Sequence, residues 1–313
     1  MRFQRTEKYI IAVLAVTLAL SLLLAFAKRV TINPYDYDLV FTVVLILIIA
    51  GQIFRAVWDR PRIANVCTAL ALLISSTHVM LIFNFLLLPY RVHGVDEFIA
   101  GVDARFGFVW SSFAITMAQH PGICDFLKTV YGSSFAQIAL LLLTLAVFNR
   151  TRQITEFMAA NIIGALASIG IWSIYPSSTP AAFQTLPADV LGRLNLVIGP
   201  DYGAKLVQLS STGVTHISPF DAIGLIGFPS FHTVMAVLMI RYAMHIRYLF
   251  IPLLAWNLIM IPAILLHGAH NLLDAAGGVA VAAFSIWFAS RLAREPQALA
   301  AGISGQRDVL AAR

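Results

Sequence analysis

The 313-residue sequence has few charged residues, 12% of the chain, whereas apolar residues make up 59%. A soluble domain carries roughly 25% charged residues, so this chain lacks the polar surface that a globule in water needs. Its two cysteines, Cys67 and Cys124, form no Cys-x-x-Cys pair and have no zinc-ligand spacing, which argues against a disulfide framework or a zinc centre. The net charge of +6 comes from scattered basic residues rather than a basic stripe with interleaved aromatics, so we expect no nucleic-acid partner.

Long apolar runs are abundant instead, and mean hydropathy is +0.83. Runs close to the length that crosses a bilayer predict an all-α integral membrane protein with about eight transmembrane helices. They lie at 9–27, 39–57, 65–89, 133–149, 157–175, 228–246, 248–266 and 269–290. The aromatic segment 106–117 is too short to span and predicts an interfacial helix.

Basic residues predict the orientation in the membrane. With the N-terminus inside, most of the 21 Lys and Arg residues fall in cytoplasmic segments. We therefore expect a multi-pass inner (plasma) membrane protein with both termini cytoplasmic and the polar connection 176–227 outside. The first run has the basic start and small-residue end of a signal peptide, but it is long enough to span, which favours an uncleaved helix.

Two short segments differ from ordinary membrane helix, and the predicted topology brings both to the outer face. The first, 227–233, reads Gly-Phe-Pro-Ser-Phe-His-Thr and opens the sixth predicted helix. Pro229 suits a first helical turn, and the free N–H groups at a helix start can bind an anion such as phosphate. Ser230 adds a hydroxyl donor, and His232 is placed to give a proton to a leaving oxygen.

The second segment, 267–274, reads His-Gly-Ala-His-Asn-Leu-Leu-Asp. His270 and Asp274 are four residues apart and would share one helix face. A carboxylate beside an imidazole fixes its tautomer and leaves the opposite nitrogen as a base or nucleophile. The Gly277-Gly278 pair allows another helix to approach closely. A polar pair that only packs helices together is the alternative, but the companion segment at the same face favours a functional site.

Pro-Ser-Phe-His and His-x3-Asp at two outward-facing helix mouths resemble the type 2 phosphatidic acid phosphatase superfamily, which carries Pro-Ser-Gly-His and Ser-Arg-x5-His-x3-Asp. The Phe-Pro-Ser-Phe-His form is closer to the branch of inositol phosphorylceramide synthase, as are the segment 131–134 and Tyr175-Pro176 with Pro180. The resemblance covers about 110–290. We therefore divide the chain into three N-terminal helices (1–92), a phosphatase-like core formed by the last five helices with the interfacial helix (93–290), and a cytoplasmic tail (291–313).

The resemblance implies that His270 is a nucleophile forming a phospho-histidine, that Asp274 orients it and that His232 is the general acid. It implies substrate binding by Ser230, with no metal or other cofactor. To these we add Phe231 and His267 as substrate-binding residues. The implied partners are a lipid phosphate substrate and membrane lipids; the sequence indicates no particular protein partner.

Three features depart from the family pattern. Ile264 stands where the family has an arginine, Phe231 replaces a glycine, and the expected outer segment has no Lys-x6-Arg-Pro motif. Because cations stabilise a transferring phosphoryl group, we consider His267, Arg193 and Lys205 as substitutes.

The sequence therefore predicts an enzyme that hydrolyses or transfers phosphate groups on phospholipid or polyprenyl- or sphingolipid-type substrates at the outer leaflet. The alternatives are a headgroup transferase of the inositol phosphorylceramide synthase type and a catalytically degenerate lipid-binding protein. A transporter is disfavoured, because the polar residues collect at one face and the sequence has no internal repeat.

Overall fold

The structure, a computed structural model, describes residues 3–90, 94–220 and 223–293. The helices in chain order are α1 (Arg5–Lys28), α2 (Asp38–Ala56), α3 (Pro61–Leu86), α4 (Asp96–Arg105), α5 (Trp110–Met117), α6 (Pro121–Gly132), α7 (Ser134–Val147), α8 (Thr151–Ile174), α9 (Pro180–Phe183), α10 (Ala188–Leu194), α11 (Pro200–Thr212), α12 (Phe231–Ala243), α13 (Arg247–His267) and α14 (Leu272–Leu292), with a 3-10 turn at Pro34–Tyr37 before α2.

The predicted all-α integral membrane fold is confirmed. Among the described residues, α1, α2 with its preceding 3-10 turn, α3, α8, α13 and α14 are each long and apolar enough to cross a membrane. Two bent pairs, α4 with α5 and α6 with α7, raise the number to eight if each pair forms one span. The expectation of about eight spans therefore agrees with six to eight.

Two predicted spans take a different form from the one expected. The fourth is the 14-residue α7, which meets α6 at a bend of 49°. The sixth is α12, only 13 residues long, because the chain before Phe231 is extended rather than helical. The segment 106–117, predicted as one interfacial helix, holds only the turn after α4 and the eight-residue α5. The axes of α4 and α5 are bent by 69° at this turn, where Gly107 has a φ of +80°.

The long connection 176–227 is more ordered than its composition suggests. It holds the short helices α9 and α10, the longer α11, and a strand β2 (His216–Ile217) that pairs in parallel with β1 (Thr31–Ile32). The register aligns Thr31 with His216, which ties this connection to the chain that follows α1.

The apolar core surrounds α8 and α12. Its largest cluster joins buried side chains of α1, α3, α7, α8, α12, α13 and α14, and a second joins α5, α6, α10 and α13. The third predicted helix, observed as α3, packs directly against α7 and α8. The proposed division at 92–93 touches residues outside the described ranges, as does most of the tail 291–313, and it stays a prediction.

Candidate active site

The start of α12 is fixed by a serine cap and by a direct link to α14. Ser230 is fully buried, and its Oγ accepts a hydrogen bond of 3.4 Å from the N–H of Thr233. Its own N–H donates to the carbonyl oxygen of Asp274 at 2.9 Å. A hydroxyl that accepts one bond still has its hydrogen to donate. Ser230 is not among the residues that line the cavity described below, so substrate binding by Ser230 stays a prediction. The link holds the two sequence segments against each other.

The paired glycines of α14 allow this contact. A Cβ at Gly278 would lie 2.5 Å from the carbonyl oxygen of Ser230 and 2.7 Å from Cβ of Thr233, and one at Gly277 would lie 2.5 Å from the ring of Phe228. A real Cβ does not lie so close to a backbone oxygen, so the approach of Ser230 requires glycine at 278, whereas the neighbour of Gly277 is a side-chain ring. The close packing expected at this pair is confirmed.

His270 and Asp274 meet through a helix cap rather than along a helix face. The last helix was predicted from 269, but α14 begins at Leu272 with Asn271 as its N-cap. Oδ2 of Asp274 accepts the N–H of Asn271 at 2.8 Å and lies 3.3 Å from Nδ1 of His270. Both residues are buried, at 4% and 1% exposure. The imidazole is therefore held by the carboxylate that completes the capping box.

A second carboxylate supports this helix start, and sequence reasoning missed it. Asp103 on α4 is buried, and its Oδ2 and Oδ1 accept the N–H groups of Leu272 and Leu273 at 2.6 and 3.1 Å. The first N–H groups of a helix have no partner within the helix, so Asp103 satisfies two of them. No local pattern signals this role, because the acceptor and donors are far apart in the sequence.

His232 lies on the first turn of α12 and stacks on Tyr131 of α6. The ring centroids are 4.3 Å apart, the interplanar angle is 23°, and the Tyr131 hydroxyl oxygen lies 3.5 Å from Nδ1 of His232. The tyrosine thus fixes the plane of the imidazole. In both histidines Nδ1 faces a protein neighbour, which leaves Nε2 as the remaining ring nitrogen.

His232 and His270 line the same cavity, which has a volume of about 370 Å³. Phe231 also lines it, together with apolar side chains of α3, α7, α8 and α12 and the segment 223–226. His232 and His270 therefore line one cavity although they are 38 positions apart in the sequence. The described lining residues include no Lys or Arg.

The segment 223–226 is held by α11. The Tyr202 hydroxyl donates to the carbonyl oxygen of Gly224 at 2.7 Å. Burial raises the pKa of Tyr202 to about 12. The hydroxyl therefore stays protonated near neutral pH and remains a donor.

The other candidates from the sequence lie elsewhere. His267 is fully buried, with Nε2 at 2.8 Å from the carbonyl oxygen of Cys124, and does not line the cavity. Arg193 pairs with Asp189 at 2.7 Å on an exposed surface, and Lys205 is exposed on α11. Ile264 lies in the second apolar cluster. Substrate binding by His267 thus remains a prediction that no observed contact supports.

No three or more His, Cys, Asp or Glu side chains are arranged to hold a metal ion in the part of the chain that the structure describes.

The described residues combine a helical membrane architecture with a cavity lined by His232 and His270, the second of which lies beside the buried carboxylate of Asp274. The model of the PAP2 superfamily matches residues 97–288, more than half of the chain. The chain belongs to the PAP2 superfamily, the type 2 phosphatidic acid phosphatases, and this membership supports a phosphatase-like, lipid-related function in general. Neither a curated protein nor a solved structure gives a match. The match starts within α4 and leaves α1 to α3 outside.

Proposed function

We propose that the protein is a lipid phosphate phosphatase or phosphotransferase that works through a phospho-histidine at His270. The observation that carries this proposal is that His232 and His270 line one cavity while Asp274 lies 3.3 Å from Nδ1 of His270. A buried carboxylate at Nδ1 favours the tautomer with its proton there, so the Nε2 lone pair is free to react.

In the first step, the Nε2 lone pair of His270 attacks the phosphorus atom. An N–P bond forms as the bond from phosphorus to the leaving oxygen breaks, and His232 gives its proton to that oxygen. The developing imidazolium of His270 is stabilised by the carboxylate of Asp274, which accepts a hydrogen bond from the Nδ1–H group. The leaving lipid alcohol is then neutral, and His232 is ready to act as a base.

In the second step, His232 takes a proton from water or from an acceptor hydroxyl. The oxygen attacks phosphorus, the N–P bond breaks, and both histidines return to their starting states. Water gives hydrolysis and release of phosphate; an alcohol gives transfer. The same residues serve both outcomes.

Because the described residues that line the cavity include no Lys or Arg, we assign the phosphate oxygens to other donors. Ser230 keeps a hydroxyl hydrogen at the N-terminus of α12, where the helix dipole favours an anion. A protonated His232 supplies a positive charge beside the phosphate, and the anion in turn stabilises that imidazolium. We assign these groups the part that arginine and lysine play in the family pattern.

Transfer of a phosphodiester headgroup is the second candidate. It is favoured by the apolar cavity walls and the 4% exposure of His270, which limit the access of water. An acceptor hydroxyl carried on a lipid reaches such a site more readily than bulk water does. A degenerate protein that only binds lipid is the third candidate, and the experiment below separates it from the enzymes.

We place the protein in the inner (plasma) membrane, with both termini in the cytoplasm and the site facing outside. The positive-inside distribution of basic residues supports this orientation. The test is to fuse the C-terminus to a reporter enzyme that is active only outside the cytoplasm. Activity of that fusion would show that the C-terminus lies outside and would reverse the proposed orientation.

The test of function uses purified protein in lipid nanodiscs with a panel of lipid phosphates and acceptor alcohols. Released phosphate and transferred headgroup are both measured. We expect His270→Ala to lower turnover by about 10³-fold and Asp274→Asn to lower it strongly, as in other nucleophile–base pairs. An acid-labile phosphate on wild-type protein, absent from His270→Ala, identifies the intermediate.

His245→Gln is the matched control, because His245 follows the opposite end of α12 and lies outside the cavity. Its turnover should equal that of wild type. Lipid binding without turnover by wild type, unchanged in the His270→Ala protein, would support the degenerate binder and overturn the catalytic proposal.

A further inference from the structure

The cavity that holds His232 and His270 reaches the surface of the protein at the start of α7. Phe135 and Ile138, near the beginning of this helix, both line the cavity. Ile138 is fully buried, whereas 55% of Phe135 is exposed, and Phe135 belongs to none of the buried apolar clusters of the described residues. A side chain that lines a cavity and is also widely exposed lies where that cavity opens.

This opening lies beside α3. Thr77 and Leu81 of α3 also line the cavity, and both are only half-buried, whereas Met80 between them is buried. The helices α3 and α7 pack against each other, and α7 starts at the 49° bend that follows α6. The opening is therefore a gap between α3 near Leu81 and the first turn of α7.

The face of α7 next to the opening is apolar. Its exposed residues recur every three or four positions, which is the spacing of one helix face, and they are Ala136, Leu140, Leu143 and Val147. In a membrane protein, an exposed apolar helix face contacts lipid chains. Phe135 adjoins this face, so a lipid chain reaches the opening without crossing water.

The opening is also close to the candidate reacting groups. Tyr131, whose ring stacks on His232 at a centroid distance of 4.3 Å, precedes Phe135 by four residues. Phe231, which is the neighbour of His232 in the chain, lines the same cavity. When a phosphate lies at the two histidines, the start of the alkyl chain attached to it is therefore near the opening.

The α3 wall of the opening suits an alkyl chain better than a phosphate. The hydroxyls of Ser76 and Thr77 both donate to the carbonyl oxygen of Leu73 at 2.9 Å, so neither has a hydrogen left to donate to a ligand. Met80 and Leu81 add only apolar atoms. Because these side chains offer no free donor and no positive charge, they do not offset the desolvation of an anion.

We propose that the cavity opens into the membrane between α3 and α7, and that an alkyl chain of the substrate leaves it there, against Thr77, Leu81 and Phe135. The inference rests on the proposed function, in that the phosphate is taken to lie at His232 and His270. The chain stays among lipid chains while the headgroup reacts, so the substrate does not leave the membrane. The family match begins at residue 97, so α3 adds a wall of the substrate site from outside the matched region.

The first test uses nitroxide spin labels on the full chain in lipid nanodiscs, in a protein that carries Cys67→Ala and Cys124→Ala. Phe135→Cys carries the label at the opening; Leu143→Cys on the apolar face of α7 and Asp201→Cys on the exposed side of α11 give reference positions. Collisions with oxygen, which concentrates in lipid, and with a water-soluble nickel chelate are measured. The label at position 135 should resemble the one at 143. Resemblance to the label at 201 would place the opening in water and overturn the inference.

The second test adds a ligand to the same labelled proteins. Hexadecylphosphonate has no phosphate ester to cleave, so it binds without turnover, and methylphosphonate presents the same headgroup without a chain. Hexadecylphosphonate should lower the mobility of the label at position 135 and its collisions with oxygen, and it should leave the label at 143 unchanged. Methylphosphonate should change neither label. A label at position 135 that does not respond to hexadecylphosphonate overturns the inference.

A third measurement tests the two sides of the gap separately. A pyrene maleimide attached to Phe135→Cys or to Leu81→Cys should weaken the binding of hexadecylphosphonate by about 5- to 100-fold, the range for an overfilled contact. The same adduct on Leu143→Cys is the matched control and should leave the dissociation constant unchanged. Turnover of lipid phosphates with no response at position 135 keeps the proposed function and overturns the inference. Chain-dependent effects at position 135 without turnover of any lipid phosphate do the reverse.

Discussion

Asp103 on α4 caps Leu272, the first residue of α14, with a hydrogen bond of 2.6 Å from the Leu272 N–H to its carboxylate. The same helix start carries Asp274, which contacts His270. Asp103 therefore acts as a positioning residue: it fixes the turn from which the carboxylate of Asp274 reaches the imidazole.

Asp103→Ala should destabilise the protein by about 1 kcal/mol and lower kcat, because two N–H groups of α14 lose their acceptor. Asp103→Asn keeps one oxygen acceptor and should therefore retain part of the stability and part of the kcat that Asp103→Ala loses. Stability is measured by thermal unfolding, and kcat and KM are measured separately for each variant. A wild-type kcat in Asp103→Ala would show that the cap does not position Asp274.

Tyr131 should act on His232 mainly through ring stacking, because the hydroxyl lies as far as 3.5 Å from Nδ1. Tyr131→Phe keeps the stacked ring, so kcat should stay within about 3-fold of wild type. Tyr131→Leu removes it and should lower kcat by about 10-fold, the size expected for an aromatic pair. The reverse order, with Tyr131→Phe the worse variant, would assign the effect to the hydroxyl.

Gly278 is the position where α14 touches the start of α12 most closely. Gly278→Ala should destabilise the protein by about 1–3 kcal/mol, because its Cβ would lie 2.5 Å from the carbonyl oxygen of Ser230 and backbone has to move. Gly170→Ala is the matched control, since a Cβ at this α8 glycine meets nothing within 4 Å. The control should be neutral or stabilising. Equal stability of both variants would contradict the steric argument.

The sequence predicts the membrane helices well because length and hydropathy control them directly. It misses the start of α12 because Phe228 lies before the boundary and extends the apolar run, while the boundary is marked by the Ser230 cap. It places His270 on a helix, whereas the chain turns at Ala269, with a φ of +46°, and the helix begins after Asn271. Caps and turns depend on contacts that hydropathy does not contain.

The site was predictable where spacing or motif carries the information. The separation of four residues correctly predicts that His270 and Asp274 are close, although they meet through the N-cap of α14 and not along a helix face. The position of His232 and His270 in one cavity agrees with the predicted topology and the family resemblance. Their catalytic roles stay predictions. Asp103 could not be found this way, because it accepts hydrogen bonds from residues distant in sequence and its role shows only through burial and partners in the fold.

Tyr202 should affect substrate affinity without taking part in the chemistry. Its hydroxyl donates to the carbonyl oxygen of Gly224, in the segment 223–226 that lines the cavity, and burial raises its pKa to about 12. Tyr202→Phe removes that donor, so the segment loses an anchor and KM should rise by about 2- to 10-fold, the equivalent of one neutral hydrogen bond, with kcat nearly unchanged.

Because the folded pKa lies above the unfolded value near 10, any stability from the protonated hydroxyl is fully present below pH 10 and is lost as the pH rises towards 12. The KM ratio of variant to wild type should therefore be constant between pH 6 and pH 9. Thr212→Val, which removes an exposed hydroxyl at the far end of α11, is the control and should leave KM unchanged. A large fall in kcat in Tyr202→Phe at constant KM would instead place Tyr202 in the catalytic step.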